Sequence, residues 1–248
     1  MKKTINPEEI NFKDKFDLSG KVIIVTGGCG LIGRAFCEAI AQFGGSIIIA
    51  DILASDPIGN AASLKKRFSQ KIEGFILDVE NRISVNQLMD FAVSNFTKID
   101  GLVNAHQNKS HLKFEAFENV SDENWDKVIN VNLKGTFLTC QIIGSYMASN
   151  NGGSIVNMPS TYSVVAPNQR LYDGTIMGCP AEYSASKGGI DALSRYLASY
   201  WASKNVRVNN EFYVCPVFNQ AIEGGKIIRT FDVPKMWGTG TPEDLKYY

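Results

Sequence analysis

Tyr183-Ser-Ala-Ser-Lys187 places a phenol and an ammonium four residues apart. On a helix that spacing puts both on one face. A nearby cation lowers a phenol's pKa from its reference of about 10 towards working pH, which suits a general acid/base acting on a carbonyl. Alone, the same spacing also describes an ordinary surface pair. A second constellation is Thr26-Gly-Gly-Cys-Gly-Leu-Ile-Gly33, which follows a buried strand and opens a helix. In that context glycine at 27 permits a tight turn, and at 30 a close approach of backbone to a pyrophosphate. At 33 it permits close packing of helix on strand. Gly27, Cys29, Gly30, Leu31, Ile32 and Gly33 are read together as the phosphate-binding segment, aided by the N–H groups and dipole of the helix start. Asp51 ends the second strand eighteen residues beyond Gly33. An acid there accepts from both adenosine ribose hydroxyls and repels a 2′-phosphate. The loop itself holds no Arg or Lys, and Arg34 is already on the helix, so NAD is expected over NADP.

Alternating apolar strands and amphipathic helices must position these groups. Val22-Ile-Ile-Val25 reads as a buried strand. Ile32, Ala35, Phe36, Ala39, Ile40 and Phe43 then read as the inward face of a helix, ended by Gly44-Gly45. Further strands are expected at 46–50, up to Leu77-Asp78, at 99–104, 154–158 and 206–208. Helices are expected at about 58–71, 83–97, from Ser121 onward, and at 181–203. Trp125, Val128, Ile129 and Leu133 should point inward on the helix begun by Ser121, its N-cap. Leu193, Tyr196, Leu197, Tyr200 and Trp201 form one stripe on the last helix. Such alternation implies an α/β fold, a doubly wound parallel sheet with helices on both faces. Residues 1–17 read as an arm and 18–248 as one domain.

Composition narrows the class. Twenty-five basic and 25 acidic side chains in 248 residues leave a net charge of +0, which argues against a nucleic-acid partner. No apolar run reaches the roughly 18–20 residues that span a bilayer, and the first residues lack the apolar stretch of a secretory signal. Five scattered cysteines without C-x-x-C read as reduced thiols of a cytoplasmic protein. His106 and His111 lack the partners a metal would need, so no metal site is expected.

From about Leu18 to Asn209 the chain resembles the short-chain dehydrogenase/reductase family. The likeness rests on Thr26–Gly33, Asp51, Asp78-Val79, Asn104-Ala105, Asn132, Ser160 and the Tyr183/Lys187 pair. It implies a Rossmann-like fold and hydride transfer between a nicotinamide and a secondary alcohol or ketone. Tyr183 would move the proton and Ser160 would hold the substrate oxygen. Lys187 would bind the nicotinamide ribose and depress the tyrosine pKa, while Asn132 would anchor a water in the proton relay. Asp78 and Val79 would contact adenine, and Asn104 and Ala105 would line the cofactor cleft. The resemblance also implies a homo-oligomer, dimer or tetramer, packed through the helices near 121–148 and 182–203.

Four features depart from the family pattern. The glycine spacing TGxxGxxG is more usual in the extended branch that modifies sugar nucleotides. His106 stands where a glycine is usual, to crowd the cleft or point away. Ser160 and Tyr183 are 23 residues apart, ten or so more than usual. The extra segment, Asn168–Pro180, carries Arg170, Tyr172 and Asp173, polar enough for a sugar or an anionic substrate. With the glycine loop it resembles flagellin-modification or sialic-acid-like sugar dehydrogenases. After Val208, Cys215-Pro-Val replaces the family's Pro-Gly turn, Thr241–Leu245 resembles the start of the penultimate helix, and the last strand is expected to be missing. Three functions stay open: an oxidoreductase on a sugar or sugar-nucleotide, a nucleotide-binding homologue without catalysis, and an epimerase or dehydratase with retained NAD.

Overall fold

β-Branched runs build the centre of the molecule. Val22–Thr26 (β1), Ser46–Asp51 (β2), Ile72–Ile76 (β3), Gly101–Asn104 (β4), Gly153–Asn157 (β5) and Val206–Val208 (β6) form one sheet. Its order is β3-β2-β1-β4-β5-β6, and every pairing is parallel. The computed structural model describes residues 16–108, 115–175 and 178–209. The expectations for residues 1–15, His111, Cys215 and a missing final strand lie outside them.

Parallel strands need crossovers, and these are helices. Leu31–Gln42 (α1) follows β1, Pro57–Lys65 (α2) follows β2 and Arg82–Asn95 (α3) follows β3. Between β4 and β5 runs a broken helix: Asp122–Ile129 (α4), Gly135–Thr139 (α5) and Ser145–Ser149 (α6), joined by π turns at Asn130–Lys134 and Cys140–Gly144. Ala181–Tyr200 (α7) leads to β6. α2 stops short of the expected 58–71 and takes Asp56 as its N-cap, whose side chain accepts from Gly59 N.

Strand alternation divides the core between the two faces. Ile24, Ile48, Leu102 and Ile155 pack with Leu88 of α3, Leu138 of α5 and Leu197 of α7. Ile23, Val25, Ile47, Ile49 and Val103 pack with Cys37, Ile40 and Ala41 of α1 and Ala61 of α2. Burying each large side chain contributes roughly 1.5–3 kcal/mol.

Three expected faces are corrected. On α1, Ile40 is buried and Phe36 packs on the core as expected, but Ile32, Ala35, Ala39 and Phe43 are not buried, and Gly33, Cys37 and Ala41 complete the contact because small residues bring the helix close to the sheet. Trp125 is 39% exposed, whereas Val128 is buried. Tyr196 and Tyr200 stack at 5.7 Å on the outside of α7, while Leu197 and Trp201 face the core.

Candidate active site

The carboxyl ends of β1, β4 and β5 carry a row of polar side chains: Thr26 is in register with Asn104, and Asn104 with Asn157. All three are buried and bonded together. Thr26 Oγ1 donates to Asn104 Oδ1 (3.1 Å), Asn104 Nδ2 to Asn157 Oδ1 (2.9 Å), and Asn157 Nδ2 to Ser194 Oγ of α7 (2.9 Å). Thr139 Oγ1 closes the network onto Asn104 Oδ1 at 2.9 Å. A buried polar set is tolerable when its groups are paired, and here it locks strand ends to helices. The Asn104 side chain therefore turns into the protein rather than into a cleft. Ala105, half-buried, follows it and donates its N–H to Thr26 O. Thr139, Asn157 and Ser194 were not anticipated; the polar residue closing each of three apolar strand runs could have pointed to Asn157, whereas Thr139 and Ser194 lie on helices and carry no such signal.

The glycine turn lies beside β1. A Cβ on Gly33 would run into the Gly27 carbonyl oxygen, and one on Gly27 (φ +66°) would lie 2.6 Å from His106 Cα. Glycine is thus required by close approach at both positions. Gly30 stands at the N-cap of α1 and supplies no side-chain cap to its first amides. Leu31 and Ile32 remain 91% and 55% exposed at its mouth. Asp51, at the end of β2, accepts from Cys29 N at 2.9 Å and from Ile52 N at 2.8 Å. An uncapped helix start, a cradle that a Cβ would fill and an acid fixed beside it fit a dinucleotide. Cys29 itself is buried, and burial followed by the Asp51 charge pushes its thiol up to about 11. Asp78 is exposed and accepts from Glu80 N, while Val79 is buried against Gly135. A groove of about 660 Å³ is lined by Asp78, Glu80, Asn81, Arg82, Lys134, Phe137 and Leu138, with no residue of the glycine turn or α7 among them.

α7 carries the tyrosine and the lysine. Lys187 Nζ lies 5.7 Å from the Tyr183 ring centre and donates to Met158 O at 2.7 Å. Lys187 is only 3% exposed, and burial lowers its pKa to about 8. Asn132 sits in the first π turn, fully buried. Its Oδ1 accepts from Asn108 N (2.9 Å), its Nδ2 donates to Ser186 Oγ (3.1 Å), and Ser186 Oγ donates to the Tyr183 carbonyl (2.8 Å). Asn132 therefore reaches the tyrosine's backbone through Ser186. Thr136 Oγ1 takes the Asn132 carbonyl at 2.7 Å, the kind of back-bonding that bends helices. Ser160 caps the short turn Thr161–Ser163, where its Oγ accepts from Tyr162 N at 3.2 Å. That use of a lone pair leaves the hydroxyl proton to be donated. Ser163 Oγ accepts from Ser160 N at 3.1 Å and so serves the same cap.

His106 neither fills a cleft nor points to solvent. Its Nδ1 is 2.7 Å from Thr26 Oγ1 and its Nε2 is 3.4 Å from Thr136 Oγ1. Burial, then the Lys187 charge, pushes its pKa down to about 3, so the ring is neutral and links β1 to the helix that carries Asn132. Among the described residues no group of three or more His, Cys, Asp or Glu could hold a metal.

The model of the short chain dehydrogenase family matches residues 21–219. D-threitol dehydrogenase of Mycolicibacterium smegmatis is 36% identical over 203 residues, 82% of this chain and 72% of that protein. Post-translational flagellin modification protein A of Campylobacter coli is 34% identical, covering 77% of this chain and 75% of its own length. The crystal structure of an NAD+-bound xylitol dehydrogenase superposes with a TM-score of 0.68 at 29% identity, over 77% of this chain and 68% of that one.

Proposed function

The chain belongs to the short-chain dehydrogenase/reductase family and is an NAD(P)-dependent oxidoreductase, and on that premise we propose that it interconverts a secondary alcohol and a ketone on a sugar or polyol, with Tyr183 as general acid/base. The observation that carries this reading is the Lys187 ammonium held over the Tyr183 ring at 5.7 Å. When bound, the nicotinamide supplies the hydride donor or acceptor. Tyr183 takes the proton from the substrate hydroxyl in oxidation and returns it to the carbonyl oxygen in reduction. Ser160, its acceptor side engaged by Tyr162 N, donates its proton to that same oxygen. Lys187 keeps donors beyond the one given to Met158 O and offers them to the nicotinamide ribose. Asn132 acts by holding Ser186 and through it the Tyr183 backbone.

Asp51 supports NAD, because its fixed carboxylate would repel a 2′-phosphate. The sugar or polyol substrate is supported by the relatives named for threitol and xylitol. A cytoplasmic setting is supported by four described cysteines that are buried and free. A homo-oligomer is supported by apolar groups exposed on the broken helix and α7, among them Phe137 at 41% and Tyr196 at 62%.

The test is nicotinamide fluorescence with polyols and sugars, run with NAD and NADP in parallel. Tyr183→Phe should lower kcat by at least about 10²-fold and leave NADH affinity nearly intact. Asp51→Ala should erode an initial preference for NAD. Turnover retained in Tyr183→Phe would overturn the reading.

A further inference from the structure

The segment inserted between Ser160 and Tyr183 is held at its neck. Gln169 Nε2 donates to Cys179 O at 2.7 Å, and Cys179 N donates back to Gln169 Oε1 at 3.3 Å. Cys179 is buried, with Sγ 3.5 Å from Ser184 Oγ on the first turn of α7, next to Tyr183. Between these anchors the chain makes a short 3₁₀ turn, Gln169–Tyr172, begun by Asn168. Of the three polar residues anticipated there, Arg170 and Asp173 are exposed and only Tyr172 is half-buried. Its hydroxyl lies 3.2 Å from that of Tyr162. Tyr162 belongs to the turn capped by Ser160, and that turn packs on α7, with Ser163 O 3.7 Å from where a Cβ on Gly188 would sit. The Tyr162 hydrogen bond, ahead of other causes that include the charge of Tyr183, raises the Tyr172 pKa to about 12.

Two neutral phenols in contact share one of their two protons. The other proton and the remaining lone pairs can pair with a further hydroxyl. The insertion's arginine faces solvent, so the pair suits an uncharged alcohol better than a carboxylate. We propose that Tyr162 and Tyr172 form a hydroxyl-binding subsite that selects substrates bearing further hydroxyls next to the reacting carbinol. This rests on the oxidoreductase reading above. A site built to bond a hydroxyl discriminates against the analogue that lacks it, because its own polar groups are then left unpaired.

Calorimetric titration of the NADH-loaded protein with D-threitol and with 2-butanol reads the subsite without turnover. Threitol should bind at least about tenfold more tightly than 2-butanol. Tyr172→Phe and Tyr162→Phe should each cut that ratio about five- to tenfold, with NADH affinity and thermal midpoint near the parent's. Neither single variant should add much to the other, since each removes the same pair. A ratio unchanged by both variants, or no preference for threitol in the parent, would overturn the proposal. Separate assays of NAD-dependent threitol oxidation test the reading beneath it. Tyrosine-dependent threitol binding without turnover of any secondary alcohol would retain the subsite and sink the oxidoreductase assignment.

Discussion

Lys187 is 3% exposed yet must be charged to act on a phenol and a ribose. Burial lowers its pKa to about 8 from 10.5. Between those values the unfolded chain holds the proton that the folded chain has released, so this group makes stability rise with pH. Below about 8 both states are charged and the desolvation penalty is present in full. Relative to Lys187→Met, the parent should therefore gain about 2 kcal/mol between about pH 7.5 and about pH 9.5, measured by urea unfolding of both proteins. A difference that is flat or falls with pH would refute the assignment. At this scale the sequence was readable wherever spacing is local: Tyr183 with Lys187, and the glycines of 27–33. Ser186 and Asn132, 54 residues apart, could not be paired in that way. Nor could His106 and Thr26, 80 apart, because nothing local requires either contact.

Among the elements, the strands were more legible than the helix faces. Strands were legible because parallel strands buried on both faces read as continuous apolar runs. The α1 face was only partly legible: Ile40 and Phe36 do pack on the sheet, but Gly33, Cys37 and Ala41 complete the contact while Ile32 and Phe43 are exposed. Close packing there has a direct consequence. A Cβ on Gly33 would strike the Gly27 carbonyl and stand 2.8 Å from Gly28 Cα, backbone that cannot yield as a side-chain end would. Gly33→Ala should lower stability by about 1–3 kcal/mol, as overpacking does, and weaken NADH binding at least about tenfold. Chemical unfolding and fluorescence titration read the two effects separately. The π turn at Asn130–Lys134 was also unforeseen. Two contacts meet there, one local and one tertiary: Thr136 Oγ1 donates to the Asn132 carbonyl four residues back, and the Asn132 side chain is held by Asn108 and Ser186. Such turns often mark functional positions.

Over the whole molecule, Tyr196 and Tyr200 stand 62% and 58% exposed, stacked on a helix whose opposite side is core. If this surface joins copies of the chain, the parent should sediment as a dimer or tetramer, and Tyr196→Glu with Tyr200→Glu should shift it towards monomer at micromolar concentrations. A monomeric parent, or an assembly indifferent to both changes, would rule the interface out. The order β3-β2-β1-β4-β5-β6 reverses direction between β1 and β4, and a ligand crevice belongs at that switch point. The alternation of strands and helices, the glycine turn, the acid after β2 and the Tyr183/Lys187 pair were all determined by sequence alone, because each depends on neighbours within a turn or on a strand's own pattern. Only the folded chain decided that Asn104 turns inward, that His106 is neutral and bonded between Thr26 and Thr136, and that Tyr172 of the insertion meets Tyr162 beside the site. Those outcomes depend on which strand ends and helix faces come together across the sheet, and on the burial that results, neither of which is written in any single stretch of the chain.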